Sequence, residues 1–218
     1  MFTGLVEKVG RLAGVERHAG GYALRVEHAP WDTPLAAGDS VAVNGACLTT
    51  TGAESGSFAA DLLDDTIRRT TLLECSGRPV NLERAVRAND RFGGHFVTGH
   101  VDGVGIVAGV IARGRDHVLS VRCSRDLLTG MVVKGSVACD GVSLTIVRLD
   151  AESFDVHIVP YTWEQSALRN LVTGAGVNLE TDLIGKYVRR GFAMAGGEGG
   201  VTMDGLVRAG ILVGQQTQ

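Results

Sequence analysis

The sequence predicts an all-β protein in which one barrel-like module is written twice, with an unpaired helix behind the second copy. Three observations carry this. The run TGLVEKVG at Thr3 to Gly10 returns as TGHVDGVG at Thr98 to Gly105, and later blocks return at nearly the same offset. Short valine-rich runs are punctuated by 31 glycines against 4 prolines, which suits many short strands joined by tight turns. No run has strand–helix–strand spacing, so a closed antiparallel sheet is favoured over a parallel one.

The repeat extends through the chain. SVAVNGACLTT at Ser40 to Thr50 matches SVACDGVSLTI at Ser136 to Ile146, an offset of 96. FAADLLDDT at Phe58 to Thr66 matches FDVHIVPYT at Phe154 to Thr162, again at 96. VNLE at Val80 to Glu83 recurs at Val177 to Glu180, offset by 97, and the opening pair by 95. A near-constant offset through four ordered blocks marks a duplication rather than chance.

Each module reads as five or six short strands. In the first, Phe2 to Val15 alternates loosely and Gly21 to Glu27 alternates apolar with polar. Val41 to Val43 runs into Asn44-Gly45, a strong hairpin-turn signal, and Cys47 to Thr51 resumes as a strand. Phe58 to Leu63 and Val80 to Leu82 complete the module. The second copy repeats this with Asp140-Gly141, Ser143 to Arg148, Phe154 to Val159 and Val177 to Leu179. Short helices are expected at Thr66 to Glu74 and Thr162 to Leu171. Asp182 to Arg190 has helical spacing at Leu183, Tyr187 and Arg190 and at Ile184 and Val188, with Asp182 as N-cap and Gly191 as stop. AGGEGG at Ala195 to Gly200 reads as a flexible link and the last apolar segment as one that docks. The expected domains are therefore 1–97, 98–185 and a helix with tail at 186–218.

Composition narrows the function. A net charge of -3 without a Lys/Arg cluster gives no reason to expect nucleic acid. No apolar run reaches the ~20 residues of a membrane span, and the N-terminal run lacks a signal-peptide pattern, so a cytoplasmic protein is expected. Cys47, Cys75, Cys123 and Cys139 lack C-x-x-C spacing, so free thiols are expected and no metal. The glycine-rich runs lack the nucleotide-phosphate forms.

A duplicated barrel offers two similar pockets for two similar ligands. Cys47-Leu48-Thr49 aligns with Ser143-Leu144-Thr145, each setting a nucleophile-type side chain and a threonine hydroxyl on one face of a strand. Taken singly, a free cysteine is most often a small buried hydrophobe. Its equivalence to Ser143 argues the other way. His100, between Gly99 and Gly103, stands where the first copy has Leu5, and histidine can exchange protons near neutral pH. His95 in GGH is read as structural. Lys134, ahead of the Ser143 strand, is a candidate for an anionic or carbonyl-rich ring.

MFTGLVE, NGACLTT, GGHFVTGHVDGVG, DGVSLTIV and VNLETDLIGKYVRR together resemble riboflavin synthase of the α-chain type, a lumazine-binding duplicated-barrel family. The resemblance runs from Met1 to about Arg190. It implies two six-stranded antiparallel β-barrels and a C-terminal helix that builds a homotrimer. The activity implied is a transferase reaction without metal or redox cofactor. Two molecules of 6,7-dimethyl-8-ribityllumazine exchange a four-carbon unit, giving riboflavin and 5-amino-6-ribitylaminouracil. The resemblance sets the site between the N-terminal barrel of one subunit and the C-terminal barrel of its neighbour.

Carried over by motif, the N-barrel pocket would use Gly4, Leu5, Val6, Cys47, Leu48 and Thr49 with the loop Asp61, Leu62, Leu63, Asp64, Asp65 and Thr66. The C-barrel pocket would use Gly99, His100, Val101, Lys134, Ser143, Leu144 and Thr145 with Val159, Pro160, Tyr161, Thr162 and Trp163. Asp182 matches a polar position near the site. The catalytic residues expected are His100 in proton transfer and Cys47 and Ser143 beside the reacting carbons, with Thr49, Thr145 and Lys134 polarising the rings. The sequence departs from the family pattern at Asp65, Ser166 and Ala167. Tyr161 and Trp163 are bulky and are expected to narrow or reshape the second pocket, and these departures leave open a paralogue that binds lumazine or flavin without catalysis, or one acting on a modified lumazine.

Overall fold

Strict alternation builds the barrel walls. In Ser57–Leu62, Phe58, Ala60 and Leu62 are buried while Asp61 faces solvent, the period of two that a half-buried strand requires. The computed structural model describes residues 1–18 and 21–195. Its first barrel contains β1 (Lys8–His18), β2 (Gly21–Glu27), β3 (Ser40–Val43), β4 (Ala46–Glu54), β5 (Ser57–Leu62) and β6 (Pro79–Arg84). They close in the order β1-β2-β5-β4-β3-β6. The second contains β7 (Gly103–Arg113), β8 (Asp116–Arg122), β9 (Ser136–Cys139), β10 (Val142–Leu149), β11 (Ser153–Ile158) and β12 (Gly176–Thr181), closed in the matching order. All pairings are antiparallel.

Closing so few strands needs strong coiling. The ladder shifts between Leu12 and Gly14, Thr50 and Gly52, Val107 and Gly109, and Ile146 and Arg148, the same places in each copy. Bulges of this kind bend and twist a strand. Each barrel has its own core, with Leu12, Val26, Val41, Phe58 and Leu82 in the first and Val121, Ile146, Phe154, Ile158 and Leu179 in the second.

The expected hairpins form at Asn44-Gly45 and Asp140-Gly141, all four residues at positive φ. The first strand begins at Lys8 rather than Phe2. Phe2 is fully buried and bridges Val97, while the amides of Thr3 and Gly4 turn to the Glu83 carboxylate instead of a ladder. The expected helix at Thr66 is split into α1 (Asp64–Arg69) and a 3-10 turn at Leu72–Cys75. Thr71 N–H leaves the helix pattern to donate to Asn178 Oδ1 at 2.8 Å. The second copy splits likewise into α3 (Pro160–Glu164) and a turn at Ala167–Asn170, with Ala167 N–H on Asn81 Oδ1 at 2.6 Å. A one-turn helix, α2 (Arg125–Leu128), precedes β9 and has no sequence-based expectation behind it.

The barrels meet back to back across a local pseudo-twofold. Asn81 Nδ2 donates to Asp140 O and Asn178 Nδ2 to Asn44 O, both at 2.9 Å. A Cβ on Gly45 would lie 2.8 Å from Gly141 N, and the reciprocal contact is also 2.8 Å. Only glycines let the two turns touch. Phe2, Val97, Ala42 and Ala138 fill a small shared core beside them.

Met1–Leu183 form one compact unit and the segment from Ile184 another. Helix α4 (Leu183–Ala195) runs past the expected stop at Gly191. A helical glycine costs only about 1 kcal/mol, and Phe192 continues the apolar spacing of Ile184 and Val188. The expected link and docking segment, from residue 196 on, lie outside the described residues. Among those described, no helix is long and apolar enough to cross a membrane.

Candidate functional site

Pairing of β3 with β4 sets three polar side chains on one outer strip. Ser40 lies opposite Thr49, and Ala42 opposite Cys47. Cys47 is half-buried and Thr49 exposed, while Leu48 between them points into the core. The second barrel repeats the strip with Ser136 opposite Thr145 and Ala138 opposite Ser143, and Leu144 points inward. Burial pushes the Cys47 thiol above its ordinary range, opposed by the charge of the amino terminus and a hydrogen bond with Ser40.

Each strip is closed by a segment of the other module. Cys47 N–H donates to Gly99 O at 2.8 Å, and Ser143 N–H to Gly4 O at 2.8 Å. A Cβ on Gly99 would lie 2.4 Å from Cys47 Cβ, and one on Gly4 2.7 Å from Ser143 Cβ. Both glycines hold positive φ, so close approach and backbone shape together demand glycine. Val101 packs into the first core and Val6 against the second.

This corrects the grouping expected from sequence. Gly99, His100 and Val101 complete the first barrel's pocket, and Gly4, Leu5 and Val6 lie against the second barrel. A buried carboxylate explains the exchange. Glu83 accepts from Thr3 N (2.7 Å), Thr3 Oγ1 (2.8 Å) and Gly4 N (3.0 Å). Glu180 does the same for Thr98 N, Thr98 Oγ1 and Gly99 N at 2.7, 2.7 and 3.0 Å. With its amides fixed to its own barrel, each glycine turns its carbonyl to the other. Burial pushes the Glu83 carboxyl up, against those hydrogen bonds.

A cavity of about 330 Å³ opens at the first strip, lined by Cys47, Asp65, Thr66, Arg69, His100 and Asp102 among others. That volume suits a small-molecule site. Asp65 accepts from Arg69 Nε at 2.9 Å, which holds its carboxyl below the ordinary range. Asp61, Leu63 and Asp64 are exposed near α1, and Leu62 is buried in the core. A larger groove of about 480 Å³ runs past Leu5, Ser40, Glu83, Arg84 and Arg87.

The second barrel's equivalents of α1 differ. Val159 and Tyr161 are exposed, Pro160 opens α3, and Thr162 O accepts from Ser166 Oγ at 2.7 Å. Trp163 stacks on His117 with centroids 4.1 Å apart and packs against the second core. Ser166 and Ala167 are buried. Ser166 keeps the bond that Thr70 Oγ1 makes to Thr66 O in the first copy, while Ala167 lacks the hydroxyl that Thr71 sets against Cys75 Sγ. Lys134 sits at φ 69, unusual for a residue with a side chain; its counterpart in the repeat is Gly38 at φ 93. Strain kept at such a residue points to a role for its side chain. Asp182 lies close enough for its charge to act on His95.

Three polar neighbours were missed from sequence. Ser40 stands beside Cys47, and its recurrence as Ser136 was the available signal. Asp102 Oδ2 accepts from Thr181 N at 2.8 Å and Thr181 Oγ1 at 2.9 Å. His95, expected to be structural, places Nδ1 2.7 Å from Ser143 Oγ. The preceding glycines carried that signal, because a Cβ on Gly94 would lie 1.9 Å from Thr3 O.

The family described as the lumazine binding domain matches this chain twice, at residues 3–85 and 98–182. The chain belongs to the lumazine-binding family. The paired matches correspond to the two barrels. It is 41% identical over 191 residues to riboflavin synthase of Actinobacillus pleuropneumoniae, covering 87% of this chain and 89% of that one. The Bacillus amyloliquefaciens riboflavin synthase is 40% identical over the same shares. Among solved structures, LumP complexed with riboflavin superposes with a TM-score of 0.74 at 22% identity, covering 83% of this chain and 99% of that one. At that identity the likeness speaks for the lumazine-binding fold.

Proposed function

We propose that each barrel holds one 6,7-dimethyl-8-ribityllumazine and that the protein is a riboflavin synthase acting in the cytoplasm. The observation that carries this reading is the reciprocal closure of the two strips by Gly99–His100 and Gly4–Leu5. Two like pockets suit a reaction between two like molecules, and the identity to curated riboflavin synthases supports the same chemistry. The ring of the first lumazine would lie along Cys47 and Thr49, its ribityl hydroxyls among Asp65, Thr66 and Arg69. Ser143, Thr145 and Lys134 would hold the second ring.

The 7-methyl group of a lumazine is acidic because its carbanion is delocalised into the ring. His100 takes that proton, and polar contacts to ring oxygens and nitrogens stabilise the anion. Holding two rings in register supplies much of the rate, since the reaction is otherwise bimolecular. The exposed apolar residues Ile184, Tyr187, Val188 and Phe192 on α4 support a homotrimer in which barrels of neighbouring subunits face each other. Native mass spectrometry tests this, and an active monomer would sink it.

One observation favours a second reading, a lumazine- or flavin-binding protein without turnover. Burial pushes the Cys47 thiol above its ordinary range, which disfavours the thiolate that an activated nucleophile needs. Incubation with 6,7-dimethyl-8-ribityllumazine separates the two. Riboflavin should appear at one molecule per two lumazines consumed; tight binding with no riboflavin would leave the binding reading standing alone.

A further inference from the structure

The pair His95–Ser143 has a chemical sense of direction that the distance alone does not reveal. His95 is 8% exposed, and its Nδ1 lies 2.7 Å from Ser143 Oγ. Its other ring nitrogen, Nε2, is buried with no hydrogen-bond partner among the described residues. Burial lowers the pKa of the ring, which favours neutral imidazole, opposed in part by the Asp182 charge. A neutral imidazole has one N–H and one bare lone pair, and which nitrogen carries the proton follows from its surroundings. A proton on Nε2 would bury an N–H with nothing to receive it, the arrangement folded proteins avoid most strongly. A proton on Nδ1 leaves only an unused lone pair at Nε2 and gives the N–H an acceptor in Ser143 Oγ.

We propose that His95 stands in the Nδ1–H tautomer and donates to Ser143 Oγ, so that Ser143 turns its own hydroxyl proton outward as a donor to the bound heterocycle. His95 is then a positioning residue. Ser143 is a hydrogen-bond donor to a carbonyl oxygen or ring nitrogen, and not a base-activated nucleophile. The surroundings fit this direction. Ser143 N–H is already spent on Gly4 O, so the hydroxyl is the remaining hydrogen-bond donor of that residue. Its neighbour across the ladder is Ala138, which offers no competing side-chain acceptor. A donor at this point stabilises charge that develops on a carbonyl oxygen or ring nitrogen of the lumazine held by the second barrel. The inference rests on the lumazine reading for the ligand's identity, while the tautomer stands without it.

Nitrogen-15 NMR of the histidine-labelled protein, without ligand, reads the tautomer directly. The expected result is a protonated Nδ1 and a bare Nε2 for His95, identified by loss of its signals in H95N; the reverse overturns the proposal. A mutant cycle reads the role. His95→Phe and Ser143→Ala should each weaken lumazine affinity about tenfold, and the double variant should be no weaker than either single. His95→Asn, whose amide can still donate near the Nδ1 position, should recover to within about threefold of wild type. Additive losses, or no recovery in H95N, overturn the positioning role. Absence of riboflavin formation by the wild type would instead defeat the enzyme reading, with the tautomer and affinity results still deciding this one.

Discussion

Cys47 and Ser143 occupy the same place in their two barrels, yet their surroundings have diverged. The backbone treatment is shared, with each amide held at 2.8 Å by a glycine carbonyl of the other module. The side-chain treatment is not. Cys47 has Ser40 for company and faces a cavity with charged walls, Asp65, Arg69 and Asp102. Ser143 has His95 beside it and an α3 that brings Tyr161 and Trp163. Beneath the sites the same divergence appears at Asn44 and Asp140, identical in backbone role but different in charge. Duplication here preserved what holds two barrels together and left the side chains along the two strips free to differ.

The carboxylate clamps should be the most nearly equal feature. Each satisfies three donors from a neighbouring turn, so Glu83→Ala and Glu180→Ala should each destabilise by about 4–5 kcal/mol in urea unfolding. A difference above about 2 kcal/mol between them would break the symmetry of the clamps. Asp140 tests the opposite expectation. Burial raises its carboxyl to about 7 in the fold, against roughly 3.9 in an unfolded chain. A raised carboxyl favours the fold while protonated, so this contribution is present below about pH 4 and is lost as pH rises through 7, about 4 kcal/mol in all. Asp140→Asn should flatten that slope in thermal unfolding followed from pH 4 to pH 8. An unchanged slope would remove Asp140 as its source.

His100 and Leu5 are the difference on which the proposed proton transfer turns. His100→Leu should reduce riboflavin formation about 100-fold and remove one limb of the pH–rate profile, while Leu5→His should add no activity. An intact pH profile in H100L would assign the proton transfer elsewhere. The smallest effect is expected at Asp65, which is exposed and pairs with Arg68 and Arg69. Asp65→Asn should leave the thermal midpoint unchanged and weaken lumazine binding by only about threefold. A large loss of stability there would show that α1 depends on the pair.

Much of the architecture could be read from the repeat. The four blocks named both barrels, the Asn44-Gly45 and Asp140-Gly141 turns, and the Cys47 and Ser143 strips, because strand alternation and turn chemistry are local. Helix limits were read less well. Gly191 does not stop α4, and Thr66–Glu74 is broken where Thr71 N–H is drawn to Asn178 more than 100 residues away. His95 was passed over because the glycines before it signal a close backbone approach without naming the partner, a serine 48 residues on.

By itself the sequence determined that there are two modules, that they are all-β, and which side chains stand outward on each wall. These follow from periods of two and from glycines that admit positive φ, properties a chain carries wherever it folds. Only the tertiary structure decided that the modules exchange their leading segments, placing His100 with Cys47 and Leu5 beside the second barrel. That choice depends on Glu83 and Glu180 fixing their own turns from the inside, which leaves each glycine carbonyl free to reach the neighbouring barrel. No pattern along the chain encodes the direction in which a carbonyl points once its amide is held.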